Sequence, residues 1–544
     1  MFDFFELANG HLYIAIAISV INGILLCFMG NKFLQIMQLS GYHQRGYYDW
    51  LKTSGGWYVG RLAMITILSA SCMVVVDVIF KPFSAYFAYL GMIFYTLFSI
   101  MFIWNIYCTP NRSPLKLTNR MNRSMFLLWV LCAALTFGFL ILSETFIPFF
   151  RLAGVAIMPL FLPMLVSFVT LLLSPAEKAI NHGFVRKAKR KLADYHDLIR
   201  VGITGSFGKT STKNFLDTIL REKYSVCSTP FNFNTPMGIT RTVLQDLSFG
   251  HQVFIAEMGA RQRGDIKELC EIVEPKYGIL TSVGAQHIAT FINQENVKRT
   301  KAELPEYLGE NGTCVFNIDN DIVREIANES KCKKITVSTV DTSADVFASD
   351  IITTTGGTKF KLHFDGKEYD CFTKLFGMHS VSNLLLCVGL ARELGLTDEQ
   401  IIAGINKVEP VDHRLQLINA PNNVAILDDT YNSSIEGSKR ALEVLGMFEG
   451  RRKIVVSPGL VELGTMERLE NYNFGQRIAK VADLVVIVNK VHLASIKQGL
   501  LDAGFDEDKI YEASNTKEAE KVVKSIIIEN DVVLWENDLP DNYI

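Results

Sequence analysis

Residues 204–211 read Thr204-Gly205-Ser206-Phe207-Gly208-Lys209-Thr210-Ser211, between an apolar run, Leu198 to Ile203, and a helical pattern. A strand that passes through a glycine-rich turn into a helix lets backbone N–H groups and a helix N-terminus cradle phosphates. In such a loop Lys209 supplies a positive charge to the β and γ phosphates, and Thr210 supplies a hydroxyl to Mg2+. The first glycine of the general G-x-x-x-x-G-K-[ST] pattern would stand at Ile203, so that pattern is met in part. The competing reading is a glycine-rich turn with no ligand.

Three further apolar runs lead to polar, metal-competent residues. Val253–Ala256 ends in Glu257, Tyr277–Thr281 leads towards His287, and Thr313–Phe316 ends in Asn317, Asp319 and Asn320. From Leu198 onward strands and helices alternate, which predicts a parallel α/β sheet. Ligands of open parallel sheets bind beyond the carboxyl ends of the strands. A lone His or Glu is more often structural, but here several strand ends agree. Ser343 to Thr373 alternates apolar and polar residues around Gly356, Gly357 and Gly366, and reads as hairpins inserted in this central domain. A second, smaller α/β unit is expected from Val411, with strands at Val424–Leu427, Lys453–Val456, Leu484–Val488 and Val532–Trp535.

The chain has 544 residues, more than one core holds, so several domains are expected. Hydrophobic residues make up 49% and mean hydropathy is +0.21, high for a soluble protein and low for one embedded throughout. A formal net charge of -2 gives no global field for nucleic acid. The ten cysteines include no C-x-x-C pair and read as reduced core residues. Five apolar stretches precede Pro175, at 11–30, 61–80, 83–108, 125–143 and 153–174. Each approaches or exceeds the roughly 20 residues that cross hydrocarbon. Basic residues collect after the first stretch (Lys32, Arg45, Lys52, Arg61), after the third (Arg112, Lys116, Arg120, Arg123) and after the fifth (Arg186 to Lys191). The positive-inside rule then puts the N-terminus outside and everything beyond Pro175 in the cytoplasm, a multi-pass protein of the plasma (inner) membrane. Lys32 to Leu51 reads either as a segment along the inner membrane surface or as a loop.

In order along the chain, these motifs resemble the Mur ligases, the ATP-dependent amide ligases of peptidoglycan precursor synthesis, and most of all their D-alanyl-D-alanine-adding branch. Thr204 to Thr210 is similar to the family's ATP loop, and Phe233 to Gly238 to its Asn-rich segment. Glu257-Met258-Gly259-Ala260 resembles its Mg2+ glutamate motif, Gln286-His287 its metal histidine, and Lys301-Ala302-Glu303 its K-x-E with a carbamylated lysine. Asn317-Ile318-Asp319-Asn320 resembles the adenine-contacting segment, and Gly377 to Asn383 the G-x-H-x-x-x-N. His413-Arg414-Leu415 resembles the arginine motif, Asp428-Asp429-Thr430-Tyr431-Asn432 the D-D-S-Y-N, and Glu462-Leu463-Gly464 follows in order. Two departures stand out. Membrane helices replace the family's UDP-sugar domain, and Val532–Trp535 runs into Glu536-Asn537 where the family has Lys-Gly-Ser.

The apolar stretches predict a transmembrane domain of five helices over 1–180, and the resemblance implies a P-loop ATPase-like central domain over 195–410 and a Rossmann-like C-terminal domain over 411–544. It implies ATP, two Mg2+ ions and a carbamylated Lys301 as cofactors. Thr204 through Ser211, with Asn317, Asp319, Asn320 and Arg414, would hold the nucleotide. Thr210, Glu257, His287 and Lys301 would hold metal, and Lys209, Lys301, His287 and Arg414 would act in catalysis. Asn234, His379, Asn383, Asp428, Asp429, Tyr431 and Asn432 would meet substrate. His379 and Asn383 are spaced i, i+4, so one helix face could present both, or they could cap and pack that helix. The Asp428–Asn432 segment could bind the amine, lock domain closure or be a turn cluster. Lys301 could instead be a surface lysine paired with Glu303. The partners implied are a cell-envelope precursor, lipid-linked or not, an amino acid or dipeptide as amine donor, and membrane lipids. A poly-γ-glutamate-type ligase is a second reading. A transporter or sensor driven by ATP is a third, although no acidic residue except Asp77 lies in an apolar stretch.

Overall fold

The computed structural model describes residues 2–80, 90–108, 114–145, 150–284, 294–431, 434–461, 463, 466–489 and 491–537. The expected site residues His287, Asn432 and Glu462 lie outside them. The described residues form two compact units, one up to Ile180 and one from Asn181.

The first unit is helical: α1 (Phe2–Met29), α2 (Asn31–Leu39), α3 (Gln44–Thr53), α4 (Gly56–Phe80), α5 (Leu90–Cys108), α6 (Asn119–Thr145) and the first part of α7 (Phe150–Ala193). Among the described residues, four helices are long and apolar enough to cross a membrane: Leu12–Met29, Gly56–Val76, Asn119–Ile141 and Gly154–Ala193, with mean hydropathies of 2.0 to 2.4. The sequence suggests five. The third stretch, 83–108, appears as the shorter apolar helix Met92–Cys108, because its first residues lie outside the described ones. Large apolar side chains face outward, among them Ile67, Met101, Trp104 and Phe126. A helix in water does the reverse. For the same reason Cys108 is exposed and Cys72 half-exposed, against the expectation that every cysteine is core. Inside, Asn22 donates to Thr136 Oγ1 at 2.9 Å, and Arg123 meets the buried Glu177 carboxylate through two bonds of 2.6 and 2.8 Å. Residues 32–51 form α2 and α3 with a turn between them, so the loop reading does not hold. Tyr47 is buried and donates to the Pro163 carbonyl of α7 at 2.9 Å.

The second unit contains two sheets. The larger has nine strands in the order β2-β3-β1-β4-β5-β6-β7-β8-β9. These are β1 (Ile199–Thr204), β2 (Val226–Ser228), β3 (Val253–Glu257), β4 (Tyr277–Leu280), β5 (Thr313–Asn317), β6 (Lys333–Ser338), β7 (Val346–Thr354), β8 (Gly357–Phe364) and β9 (Lys367–Thr373). Pairing is parallel from β2 through β7 and antiparallel over β7-β8-β9. The expected hairpins therefore do not form an insertion; they continue the same sheet. Alternate strand residues feed opposite faces. Val201, Ile203 and Ile255 join the core under α8 (Lys209–Leu220), while Phe254 and Ala256 join the core under α9 (Pro236–Gln245) and α10 (Asp265–Val273). Such double burial is why these strands read as unbroken apolar runs.

The smaller sheet has six strands in the order β10-β11-β15-β12-β13-β14. Four match the expected positions as β11 (Val424–Asp429), β12 (Lys453–Ser457), β13 (Leu484–Val488) and β15 (Val532–Glu536). The other two, β10 (Gln416–Ala420) and β14 (Ile510–Ala513), are edge strands with few buried residues and so carry no apolar signature.

Candidate active site

β1 and β3 are neighbours in register, with Ile203 opposite Glu257, so the loop after β1 opens beside that carboxylate. Ile203 is fully buried within the strand, which explains why no glycine stands there: the turn begins one residue later. Gly205 has φ 153°, and a Cβ on it would lie 1.9 Å from Thr281 Oγ1. Gly208 takes the left-handed conformation, φ 82°, and caps α8. The loop is tied to β4 by Ser206 N donating to the Ser282 carbonyl at 2.6 Å and Phe207 N donating to Ser282 Oγ at 3.3 Å. Thr204 Oγ1 donates to the Met258 carbonyl at 2.9 Å. Thr210 and Ser211 stand in the first turn of α8. Lys209 turns back over its own loop, donating to the carbonyls of Gly205 and Ser206 at 2.7 and 2.8 Å.

Four cations gather here. Burial lowers the Lys209 ammonium to about 8, partly opposed by Glu257 and reinforced by Arg414. Lys213, one turn further along α8 and 1% exposed, has its Nζ 3.3 Å from Glu257 Oε2 and is lowered mainly by burial. Arg414 donates from Nη2 to Thr210 Oγ1 at 3.3 Å, and its guanidinium lies 4.6 Å from the Tyr431 ring centroid. Lys301, on α11 (Gln294–Leu308), is 3% exposed and held well below the usual lysine range, by burial first and then by the charge of Lys209. Lys209, Lys213 and Arg414 thus gather around the one carboxylate of Glu257, an arrangement that suits a polyanion. The surface pairing of Lys301 with Glu303 does not occur. Glu303 instead accepts from Gly264 N and Lys267 N at 2.7 and 2.9 Å, capping α10.

Glu257 is 1% exposed. Its Oε1 accepts from Asn234 Nδ2 at 3.1 Å, while Oε2 accepts no hydrogen bond. The buried Glu257 Oε2, without a hydrogen bond, and the Thr210 hydroxyl, one helix turn before the Lys213 that meets Glu257, are hard-oxygen donors of the kind that fit Mg2+.

The other expected residues divide. Asn383, on α13 (Met378–Glu393), abuts the loop: a Cβ on Gly208 would lie 2.7 Å from Asn383 Oδ1. His379 does not share that setting. Burial takes its imidazole down to about 3, with Arg440 adding to the effect, and its nearest side-chain partner is Ser380 Oγ at 3.4 Å. Asn317 Oδ1 accepts from Asp319 N at 3.2 Å. Asp319 is engaged by Ser338 Oγ and by the Thr339 amide and hydroxyl at 2.8 and 2.7 Å. Asn320 caps α12 (Asp321–Glu329) and donates to the Val283 carbonyl at 3.0 Å. In this structure Asp319 and Asn320 shape the loops.

Asp428 and Asp429, at the end of β11, serve Arg414. Asp428 Oδ2 lies 2.8 Å from His413 Nδ1, and Asp429 Oδ1 accepts from Leu415 N at 3.0 Å. His413 and Leu415 both adopt left-handed backbone, φ 63° and 49°, so the two aspartates hold a strained turn with Arg414 at its centre. Burial raises Asp429 to about 6. Opposite it in register is Glu536, fully buried.

Sequence reasoning missed Lys213 and Asn232. The signal for Lys213 was its i+4 spacing from Lys209 on one helix face. Asn232 Nδ2 donates to Tyr431 Oη, and nothing in its local pattern sets it apart from a loop asparagine.

Two family models match the chain, the Mur ligase middle domain over residues 203–391 and the Mur ligase glutamate ligase domain over residues 413–536. The UDP-N-acetylmuramoyl-tripeptide–D-alanyl-D-alanine ligase of Mycobacterium tuberculosis is 30% identical over 318 residues, 56% of this chain and 62% of that protein. The ligase of the same name from Escherichia coli is 29% identical over 332 residues, covering 60% and 73%. The crystal structure of MurF ligase from Thermotoga maritima in complex with ADP superposes with a TM-score of 0.58 at 26% identity, covering 66% of this chain and 80% of that one. The chain thus spans about three-fifths of the Mycobacterium relative's length.

Proposed function

Because the chain belongs to the Mur ligase family through its middle and C-terminal domains, we propose that it is a membrane-anchored, ATP-dependent, ADP-forming carboxylate–amine ligase. Its substrates in this reading are the peptide carboxylate of a cell-envelope precursor and an amino acid or dipeptide amine, as the relatives' names suggest. The observation that carries it is the meeting of Lys209, Lys213 and Arg414 around the buried Glu257, at the carboxyl edge of a parallel sheet.

A carboxylate is a poor electrophile, because its leaving group would be oxide. Attack of its oxygen on the γ phosphorus of ATP forms a C–O–P bond and breaks the β–γ bridge, releasing ADP. The amine then attacks the acyl carbon, forming C–N, expelling phosphate and losing a proton. Catalysis is mainly positioning and charge neutralisation. Lys209 exchanges the carbonyls of its own loop for phosphate oxygens. Arg414, clamped by Asp428 and Asp429, adds a cation from the second sheet. Thr210 and Glu257, with His287 and Lys301, would hold Mg2+, which when bound screens the phosphate charge. Lys301 would join them as a carbamate, formed from its neutral amine and CO2 with loss of a proton. Its depressed basicity keeps that amine available. Asn234, Asn383 and Tyr431 line the approach for substrate.

The test is product mass and ADP release with UDP-N-acetylmuramoyl-tripeptide, a lipid-linked counterpart, D-alanyl-D-alanine and glutamate as candidate substrates. ADP should form only when a carboxylate and an amine are both present, and Lys209→Ala should abolish it while membrane insertion persists. ADP release that ignores both substrates would favour a pump or sensor instead.

A further inference from the structure

Lys213 has two partners. Its Nζ lies 3.3 Å from Glu257 Oε2 and donates to the Phe231 carbonyl. Phe231 is unusual in itself: a bulky, non-glycine residue in left-handed backbone, φ 47°, with its ring 82% exposed. Such a conformation is strained and persists only where surroundings fix it. The surroundings are the same carboxylate and its strand. Glu257 N donates to Thr229 Oγ1 at 3.1 Å, Gly259 N donates to the Asn234 carbonyl at 2.9 Å, and Asn234 Nδ2 donates to Glu257 Oε1 at 3.1 Å. Asn232 carries the loop across to Tyr431, which stacks on Arg414.

We infer that Lys213 is a positioning residue that couples cation binding at Glu257 to the placement of the 229–235 loop. This rests on the reading of the cradle as a Mg2+–nucleotide site. A buried ammonium beside Glu257 is the carboxylate's counter-ion in the unliganded protein. A divalent cation taking Oε2 repels that ammonium in a region of low dielectric, where like charges interact strongly. The partner left to Lys213 is then the Phe231 carbonyl, so the lysine tightens on the loop. That loop presents Asn232 to Tyr431, beside Arg414. Cation and nucleotide would thus order the wall that receives the second substrate before it arrives.

Hydrogen exchange of the full chain in detergent or nanodiscs, followed on the peptide spanning 229–235, tests this with Mg2+·ADP and with ADP plus EDTA. In the wild type, Mg2+·ADP should slow exchange there by about fivefold or more, the lower end of ordinary site-to-site coupling, and ADP plus EDTA should not. Lys213→Met should bind Mg2+·ADP more weakly, read by calorimetry, and at saturating nucleotide should lose the nucleotide-dependent protection. A wild-type loop indifferent to Mg2+, or a Lys213→Met loop that responds like wild type, overturns the coupling. So does a Lys213→Met loop that merely exchanges faster with and without nucleotide while its response is retained, since that is a structural role alone. Failure of the wild type to bind Mg2+·ADP at all would instead sink the nucleotide site itself.

Discussion

Lys209 and Lys301 are both buried lysines, yet the two burials do different work. Lys209 sits near pKa 8 in the free protein because burial outweighs Glu257. Phosphate oxygens favour its charged form, so nucleotide binding raises that value. The bound state then holds more protons than the free state just above pH 8, and affinity for Mg2+·ATP should fall as pH rises through that value. Calorimetry in buffers of different ionisation enthalpy should show proton uptake near pH 8–9, and Lys209→Met should remove it. For Lys301 burial, with the charge of Lys209, favours the neutral amine more than in an exposed lysine. Labelling with 13C-enriched CO2 should give a carbamate carbon signal that Lys301→Arg lacks. No signal in the active wild type would remove Lys301 from the metal set. Asp429, raised to about 6 by burial, works the other way. Its folded form binds its proton more tightly than the unfolded chain does, so its contribution to stability is present at low pH and lost as pH rises through about 6. Asp429→Asn should flatten that part of the stability–pH curve, and should slow ligation by loosening the turn around Arg414.

Elements carry the next level. A Cβ on Gly205 would meet Thr281 Oγ1, an atom of the adjacent strand end and not a floppy tip. Gly205→Ala should therefore cost about 1–3 kcal/mol and impair nucleotide binding, and adding Thr281→Ala should restore part of both, a coupling that a double-mutant cycle measures. The strand–loop–helix from β1 to α8 was legible from sequence because every level agrees there: an apolar run, glycines where the backbone needs them, and an amphipathic helix. The edge strands β10 and β14 were not, because an edge buries little and alternates weakly. The hairpins were legible as hairpins, but their union with the main sheet depends on β6–β7 pairing at Val337–Val346 and Ser338–Phe347, which no local pattern announces. The same holds for Asp428 and Asp429. Their types suggested a ligand site, whereas the structure turns them towards His413 and Leu415, contacts made across the antiparallel β10–β11 pair.

At the scale of the whole molecule, a helical unit with outward apolar faces is joined in one chain to a unit with two α/β sheets. Membrane anchoring predicts that the protein stays with membranes through carbonate extraction. The distribution of basic residues predicts that a tag after residue 544 is digested only when the cytoplasmic face is open to protease. The chemistry must hold when that unit is kept in a lipid disc. The most direct measurement is therefore ADP release by the full chain in nanodiscs, with Mg2+·ATP and each candidate carboxylate and amine added singly and together. Ligation requires release only with the complete pair, one ADP per new amide bond seen by mass, and none from Lys209→Ala. Equal release without either substrate, or full release from Lys209→Ala, would contradict it.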